Sequence, residues 1–254
     1  MASHRDNPHH DRPAARVVGN AFPGYAGAHS NQRKTNAMTK PRFAVVLSGC
    51  GVYDGAEIHE AVLTLLAIDR AGGTYQCFAP DVAQMHVVNH LTGQEAGESR
   101  NVLVEAARIA RGAIKPLAEF DAGAFDAIVF PGGFGAAKNL CSFAVAGPDC
   151  TVNPDVERAI TAMRAAAKPI GALCIAPAIL ARVLGDVKVT IGSDAGTAAA
   201  LEKMGAHHVN RSHGELAVDE ARKVVTTPCY MLDASIGQIA DGAQAVVTKL
   251  IAMM

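Results

Sequence analysis

From Arg42 onward, short apolar runs rich in β-branched residues alternate with longer stretches in which apolar residues recur at helical spacing. That alternation constrains the fold more than any other feature of the chain. A run of four or five residues that is apolar throughout has no face to offer water, which is the condition of a strand in a parallel sheet covered on both sides. Parallel neighbours need crossover connections, and the intervening stretches have the length and period of helices. The strand candidates are residues 43–47, 74–78, 127–130, 170–173 and 224–227, and the helix candidates 56–71, 99–111, 155–166, 175–184, 195–204 and 232–252. The expected fold is a doubly wound, mostly parallel α/β sheet flanked by helices. In such sheets ligands bind beyond the carboxyl ends of the strands, so the strand-to-helix turns are the places to look for chemistry.

Half of the 254 residues are hydrophobic and the formal net charge is -1. A chain of this size and composition buries a substantial core. It carries no charge footprint for nucleic acid and no basic face for an anionic membrane. No apolar run reaches the roughly 20 residues of a membrane-spanning helix, and the N-terminus lacks the apolar core of a secretory signal. A cytoplasmic location is the expectation. Residues 1–40 are rich in His, Asn, Arg, Pro and Gly without apolar periodicity, and read as a disordered tail ahead of an α/β domain over 41–254. The tail's only acids are Asp6 and Asp11 against several arginines, as in organelle-targeting peptides, but it shows no amphipathic helix. Translation from Met38 is the simpler account.

Six cysteines, at 50, 77, 141, 150, 174 and 229, form no CxxC pair and no Cys/His cluster at metal-ligand spacing, which argues against structural zinc. Context singles out one. A buried run ends at Leu173, and a helical pattern leaves from Cys174-Ile175-Ala176-Pro177, with Pro177 suited to a first helical turn. A thiol on such an elbow faces free amides and a helix N-terminus, which favour the thiolate. The turn after residue 130 reads Pro131-Gly132-Gly133, whose unhindered N–H groups suit an oxyanion site. The first turn, Ser48-Gly49-Cys50-Gly51-Val52-Tyr53-Asp54-Gly55, matches neither phosphate-binding glycine pattern. Asp54 and Glu57 have capping-box spacing, which assigns Glu57 a structural duty and leaves Glu60, one turn on, as the candidate functional acid.

Together, Gly55-Ala56-Glu57-Ile58-His59-Glu60-Ala61-Val62, the Phe130-Pro131-Gly132-Gly133 turn with Lys138-Asn139-Leu140, and Cys174-Ile175-Ala176-Pro177 resemble the DJ-1/PfpI superfamily. The first turn, with Val88-Asn89-His90-Leu91-Thr92-Gly93 and Thr227-Pro228, is similar to the ElbB branch, named for isoprenoid biosynthesis and an amidotransferase-like architecture. The resemblance spans residue 41 to the C-terminus. It implies a flavodoxin-like, class I glutamine amidotransferase-like fold with Cys174 at a nucleophile elbow and Glu60 as the acid bonded to it. It also implies Gly132, Gly133 and the Ile175 amide as oxyanion or substrate donors, with Cys50, Tyr53, His90 and Asn139 as candidates to line the site. The implied activity is a glyoxalase, converting glyoxal or methylglyoxal to a hydroxy acid through a Cys174 hemithioacetal. The partner is then a small reactive aldehyde, no metal or organic cofactor is needed, and the chain is a homodimer. The alternatives are a redox or stress sensor built on Cys174, and a glutamine amidotransferase-like subunit. Amidotransferases and PfpI-type proteases place a histidine beside the cysteine, where this chain has Ile175, and that departure weakens the glutaminase alternative.

Overall fold

The structure, a computed structural model, describes residues 40–254. The expected tail over 1–40 and the start at Met38 thus lie outside the described residues, Lys40 apart. The chain enters on β1 (Arg42–Val46), passes through α1 (Ile58–Arg70) and returns on β2 (Thr74–Ala79). A short hairpin, β3 (Val88–Asn89) and β4 (Gln94–Glu95), precedes α2 (Val102–Ile109) and β5 (Ile114–Pro116). Then come β6 (Ala127–Phe130), the short helices α3 (Phe134–Lys138) and α4 (Phe143–Ala146), α5 (Pro154–Ala165), β7 (Ile170–Leu173) and α6 (Pro177–Leu184). After β8 (Lys188–Val189), α7 (Ala195–Lys203) and β9 (His207–His208), the chain closes with β10 (Ala217–Asp219), β11 (Val224–Thr227) and α8 (Ile236–Ala252). Seven of the strands form one sheet in the order β10-β11-β7-β6-β1-β2-β5, parallel except for the β10–β11 pair.

The sequence announces β2 and, most plainly, the four central strands β1, β6, β7 and β11. All four residues of β6, β7 and β11 are buried, as are the last four of β1. Their side chains alternate between two cores. Ala44, Val46, Ile128 and Phe130 pack toward α5 and α6, while Phe43, Val45, Leu47 and Val129 pack toward α1 and α8. This is the two-residue period of a strand read from both faces at once. Helices α1, α2 and α8 begin later than their apolar patterns do, because capping residues fix the starts. Asn101 caps α2 by accepting the Val104 N–H, and Ser235 with Gln238 forms a capping box on α8.

β1 lies between β2, which leads to β5, and β6, which leads to β7 and β11. The chain therefore winds in opposite directions from the β1/β6 boundary. Such a reversal opens a crevice at the carboxyl ends of the two strands, between the first turn and the Gly132-Gly133 turn.

Candidate functional site

Cys174 follows β7 directly and has a left-handed backbone, φ 60°, unusual for a residue with a Cβ. Its N–H is tied to the Thr227 carbonyl at 3.0 Å, and α6 begins at Pro177 three residues on. The strained turn stands the side chain at the sheet's carboxyl edge. The thiol is nearly buried, and the amides of Gly133 and Ile175 are bonded to its sulfur.

Glu60 reaches the same sulfur from the first turn of α1 and has no exposed surface. One carboxyl oxygen accepts the Gly132 N–H at 2.9 Å, the other the Tyr230 N–H at 3.2 Å. Burial, with a contribution from the neighbouring Glu57 charge, pushes its pKa up to about 8, against the pull of those two amides and the thiol. The Cys174 thiol is also raised, first by burial and then by the Glu60 charge, which together outweigh the Gly133 and Ile175 amides. This corrects the expectation that helix-end amides would lower its pKa. The pair therefore rests with both protons on at neutral pH and loses the first near pH 8, as a unit.

The double glycine is a steric requirement here. A Cβ on Gly132 would lie 2.4 Å from Cys174 Cβ and 2.6 Å from Glu60 Oε2, and one on Gly133, at φ 91°, would lie 2.3 Å from the Glu57 nitrogen. With its N–H committed to Glu60, Gly132 positions the acid and is not a free oxyanion donor, which corrects its expected role. Gly133 and Ile175 keep that geometry.

The sulfur opens onto a cavity of about 430 Å³. Its walls are apolar at Val52, Phe134, Phe143, Ile175 and Met231 and polar at Glu57, Thr197 and Tyr230, and among the described residues no histidine, lysine or arginine lines it. A hollow of similar size at the amino ends of β1 and β2, near Arg42 and Tyr75, has no cysteine among its lining residues.

No protein-family profile matches the chain. A human protein, glutamine amidotransferase-like class 1 domain-containing protein 3, mitochondrial, is 49% identical over 252 residues, covering 94% of this chain and 93% of its own length. The rat ES1 protein homolog, mitochondrial, is 49% identical over 236 residues, 89% of this chain and 87% of its own. The chain belongs to the ES1 family of glutamine amidotransferase-like class 1 domain proteins. The crystal structure of an isoprenoid biosynthesis protein with amidotransferase-like domain from Ehrlichia chaffeensis is 38% identical, with a TM-score of 0.80 over 84% of this chain and 99% of that one. A DJ-1 superfamily protein from Salmonella typhimurium, 20% identical with a TM-score of 0.53, covering 84% of this chain and 91% of its own, shares the fold.

The expected cytoplasmic location does not stand, since the human, rat and zebrafish ES1-family relatives are all named mitochondrial. Import can use a basic, acid-poor leader with no apolar core, and the N-terminal segment has that composition. The match to the human protein covers a larger share of this chain than residues 40–254 make up, so it runs into that segment and weighs against a start at Met38.

Other residues singled out in the ES1-family sequence stand elsewhere. Asp54 and Glu57 form no capping box. Glu57 is itself the N-cap of α1, its carboxylate accepting the Glu60 N–H at 2.7 Å, and Asp54 accepts the Val88 N–H at 2.8 Å. His90 is spent on the loop: Nδ1 is 3.0 Å from the Val88 carbonyl and Nε2 accepts the Tyr53 N–H at 3.2 Å, with the Tyr53 ring packed on its own. Asn139 is a clamp, donating to the Ser48 and Asp54 carbonyls and accepting the Met85 N–H. Cys50 is half-buried, with its pKa raised by burial and by the Glu105 charge. None of Cys50, Tyr53, His90 and Asn139 lines the cavity. Sequence reasoning missed Tyr230, which holds Glu60 by its N–H, lines the cavity and bonds His59 Nδ1 through its hydroxyl at 2.9 Å.

Proposed function

We propose that this protein is a glutathione-independent glyoxalase that converts glyoxal or methylglyoxal to the corresponding hydroxy acid. The observation that carries the reading is the Glu60 carboxyl, fully buried and bonded to the Cys174 sulfur while two backbone amides fix both its oxygens. A carboxyl so held, with a pKa near 8, takes and returns a proton at neutral pH.

Cys174 sulfur forms a bond to the aldehyde carbon, and the carbonyl electron pair moves to oxygen, which takes up the thiol proton. The Gly133 and Ile175 amides, aimed at the sulfur, stabilise the oxyanion as it develops. Glu60 as carboxylate removes the proton from the same carbon, the adjacent carbonyl oxygen takes up the hemithioacetal hydroxyl proton to give an enediol, and Glu60 returns its proton to the adjacent carbon, leaving a thioester beside a hydroxyl. Water then displaces the sulfur, giving the acid and restoring the thiol. The net change is the addition of one water to the dicarbonyl, and none of these steps calls for a metal or an organic cofactor. Glutamine hydrolysis fits less well, because among the described residues no histidine lines the cavity over the sulfur to serve as general base.

From the relatives' names we extend the proposal to a mitochondrial location, to be tested by fractionating cells that express the tagged full chain. A homodimer is also part of the reading, with the exposed apolar stripe Ile58, Val62 and Leu66 along α1 as its contact face. The deciding experiment is turnover of methylglyoxal to lactate by the wild type and by Cys174→Ala. Turnover that vanishes in the variant supports the glyoxalase. No turnover, together with a peroxide-induced mass increase on Cys174, transfers support to a redox sensor.

A further inference from the structure

The cavity over Cys174 is too large and too apolar for the smallest dicarbonyls. At roughly 30 Å³ per water-sized atom, the five heavy atoms of methylglyoxal occupy about 150 Å³. The cavity measures about 430 Å³, so the greater part would stay filled with water. That water would lie against apolar side chains: Phe134 keeps 50% of its surface exposed, and Phe143, Ile175 and Met231 are only partly buried. Covering such surface with an apolar group is favourable and leaves little to be gained from a polar one.

Charge narrows the class further. Glu57 is the carboxylate in the cavity wall, and among the described residues no cation lines it. Lys138 lies over the ring of the wall residue Phe134 at 5.4 Å, but its ammonium donates to the Tyr53 carbonyl. A carboxylate or phosphate on the substrate would find no partner there and would be repelled by Glu57.

We propose that the preferred substrate is a 2-oxoaldehyde carrying an uncharged apolar substituent, alkyl or aryl, of roughly six to nine carbons, the room left once the dicarbonyl head is seated. The head sits at Cys174, and the substituent lies along Phe134, Phe143 and Met231. This rests on the glyoxalase reading and deepens it, because glyoxal and methylglyoxal become poor representatives of the class.

Two measurements on the full-length protein separate this inference from the reading beneath it. The first is kcat/KM for glyoxal, methylglyoxal, hexylglyoxal and phenylglyoxal. It should rise by about fourfold per added methylene, the Boltzmann equivalent of about 0.8 kcal/mol, until the cavity is full. The second needs no turnover: saturated alkanals from propanal to octanal add reversibly to a thiol but lack the second carbonyl. The concentration that protects Cys174 from iodoacetamide should fall by the same factor per methylene. Ala144, on the exposed helix α4 at the cavity wall, tests the location, since Ala144→Trp should flatten both series. Methylglyoxal turnover with no chain-length dependence in either series overturns this inference and leaves the glyoxalase intact. Graded protection by alkanals without turnover of any oxoaldehyde overturns the glyoxalase and leaves an apolar aldehyde site. A series unchanged in Ala144→Trp shows that the chain lies elsewhere and sinks the assignment.

Discussion

Glu60→Gln is the substitution in which stability and activity should part company. The Glu60 carboxyl holds its proton to about 8, against 4.5 for the same group in solvent. For an acid whose pKa is raised by folding, both states are protonated below the unfolded value and the group costs the fold nothing. As pH rises from 4.5 toward 8 the unfolded chain releases the proton first, and stability falls. At about 1.4 kcal/mol per unit, the loss approaches 5 kcal/mol above pH 8, of which about 4 falls between pH 5 and pH 9. Glutamine escapes this loss. It has a drawback of its own, however, because the Gly132 and Tyr230 N–H groups each require an acceptor and an amide offers one oxygen. A buried donor left facing another costs about 1–3 kcal/mol at every pH. The variant should thus be less stable than wild type at pH 5 and more stable at pH 9, crossing over between about pH 5 and 7. At roughly 2–4 °C per kcal/mol, the Tm difference should swing by about 10 °C across that range. Turnover should fall by about 10²-fold or more at every pH. Thermal melts of both proteins at pH 5, 7 and 9 test this, and a Tm difference that does not change with pH would refute a raised Glu60 pKa.

Glu57→Gln should retain turnover but shift the rise of kcat/KM to lower pH, since the Glu57 charge helps to raise Glu60, with a stability loss of about 1 kcal/mol from the weakened cap; a pH profile identical to wild type would show no coupling. Gly132→Ala forces a methyl into the Cys174–Glu60 contact, so turnover should fall at least 10²-fold and melting should report about 1–3 kcal/mol of overpacking. Iodoacetamide mapping of the native protein should label Cys174 first, because none of the other five cysteines lines the cavity, at a rate still climbing above pH 8, since burial and the Glu60 charge raise the thiol; faster labelling of Cys50 would contradict this. Asn139→Ala removes a clamp on three backbone groups and should cost about 2–4 kcal/mol, read as a lower Tm with the site chemistry retained.

The central strands were legible because burial on both faces leaves an unbroken apolar run. The edge strands β5 and β10 were not, since three residues ending at a proline or flanked by charges carry no such run. Cys174 and Glu60 were legible for different reasons. The elbow announces itself in the step from a buried strand to Pro177, whereas Glu60 needed the family resemblance, because its spacing alone equally describes a solvated carboxylate. Tyr230 was out of reach: it acts through a backbone N–H aimed by the turn at Cys229, whose φ of 44° no sequence pattern signals. His90 misled because a loop histidine that orders its own loop looks the same in sequence as one that enters a site. The location failed because the basic, acid-poor leader was set aside for showing no amphipathic helix.

Glu60 is held by amides that lie 72 and 170 positions further along the chain. Neither contact exists until β6 and β11 have joined the sheet, and the Cys174 backbone itself hangs from Thr227 at the end of β11. A nascent or unfolded chain therefore carries an ordinary carboxylic acid at 60 and an ordinary thiol at 174, and acquires its proton-sharing pair only when its last parallel strand docks. The acidity of one side chain is in this way a report on whether the whole polypeptide has finished folding.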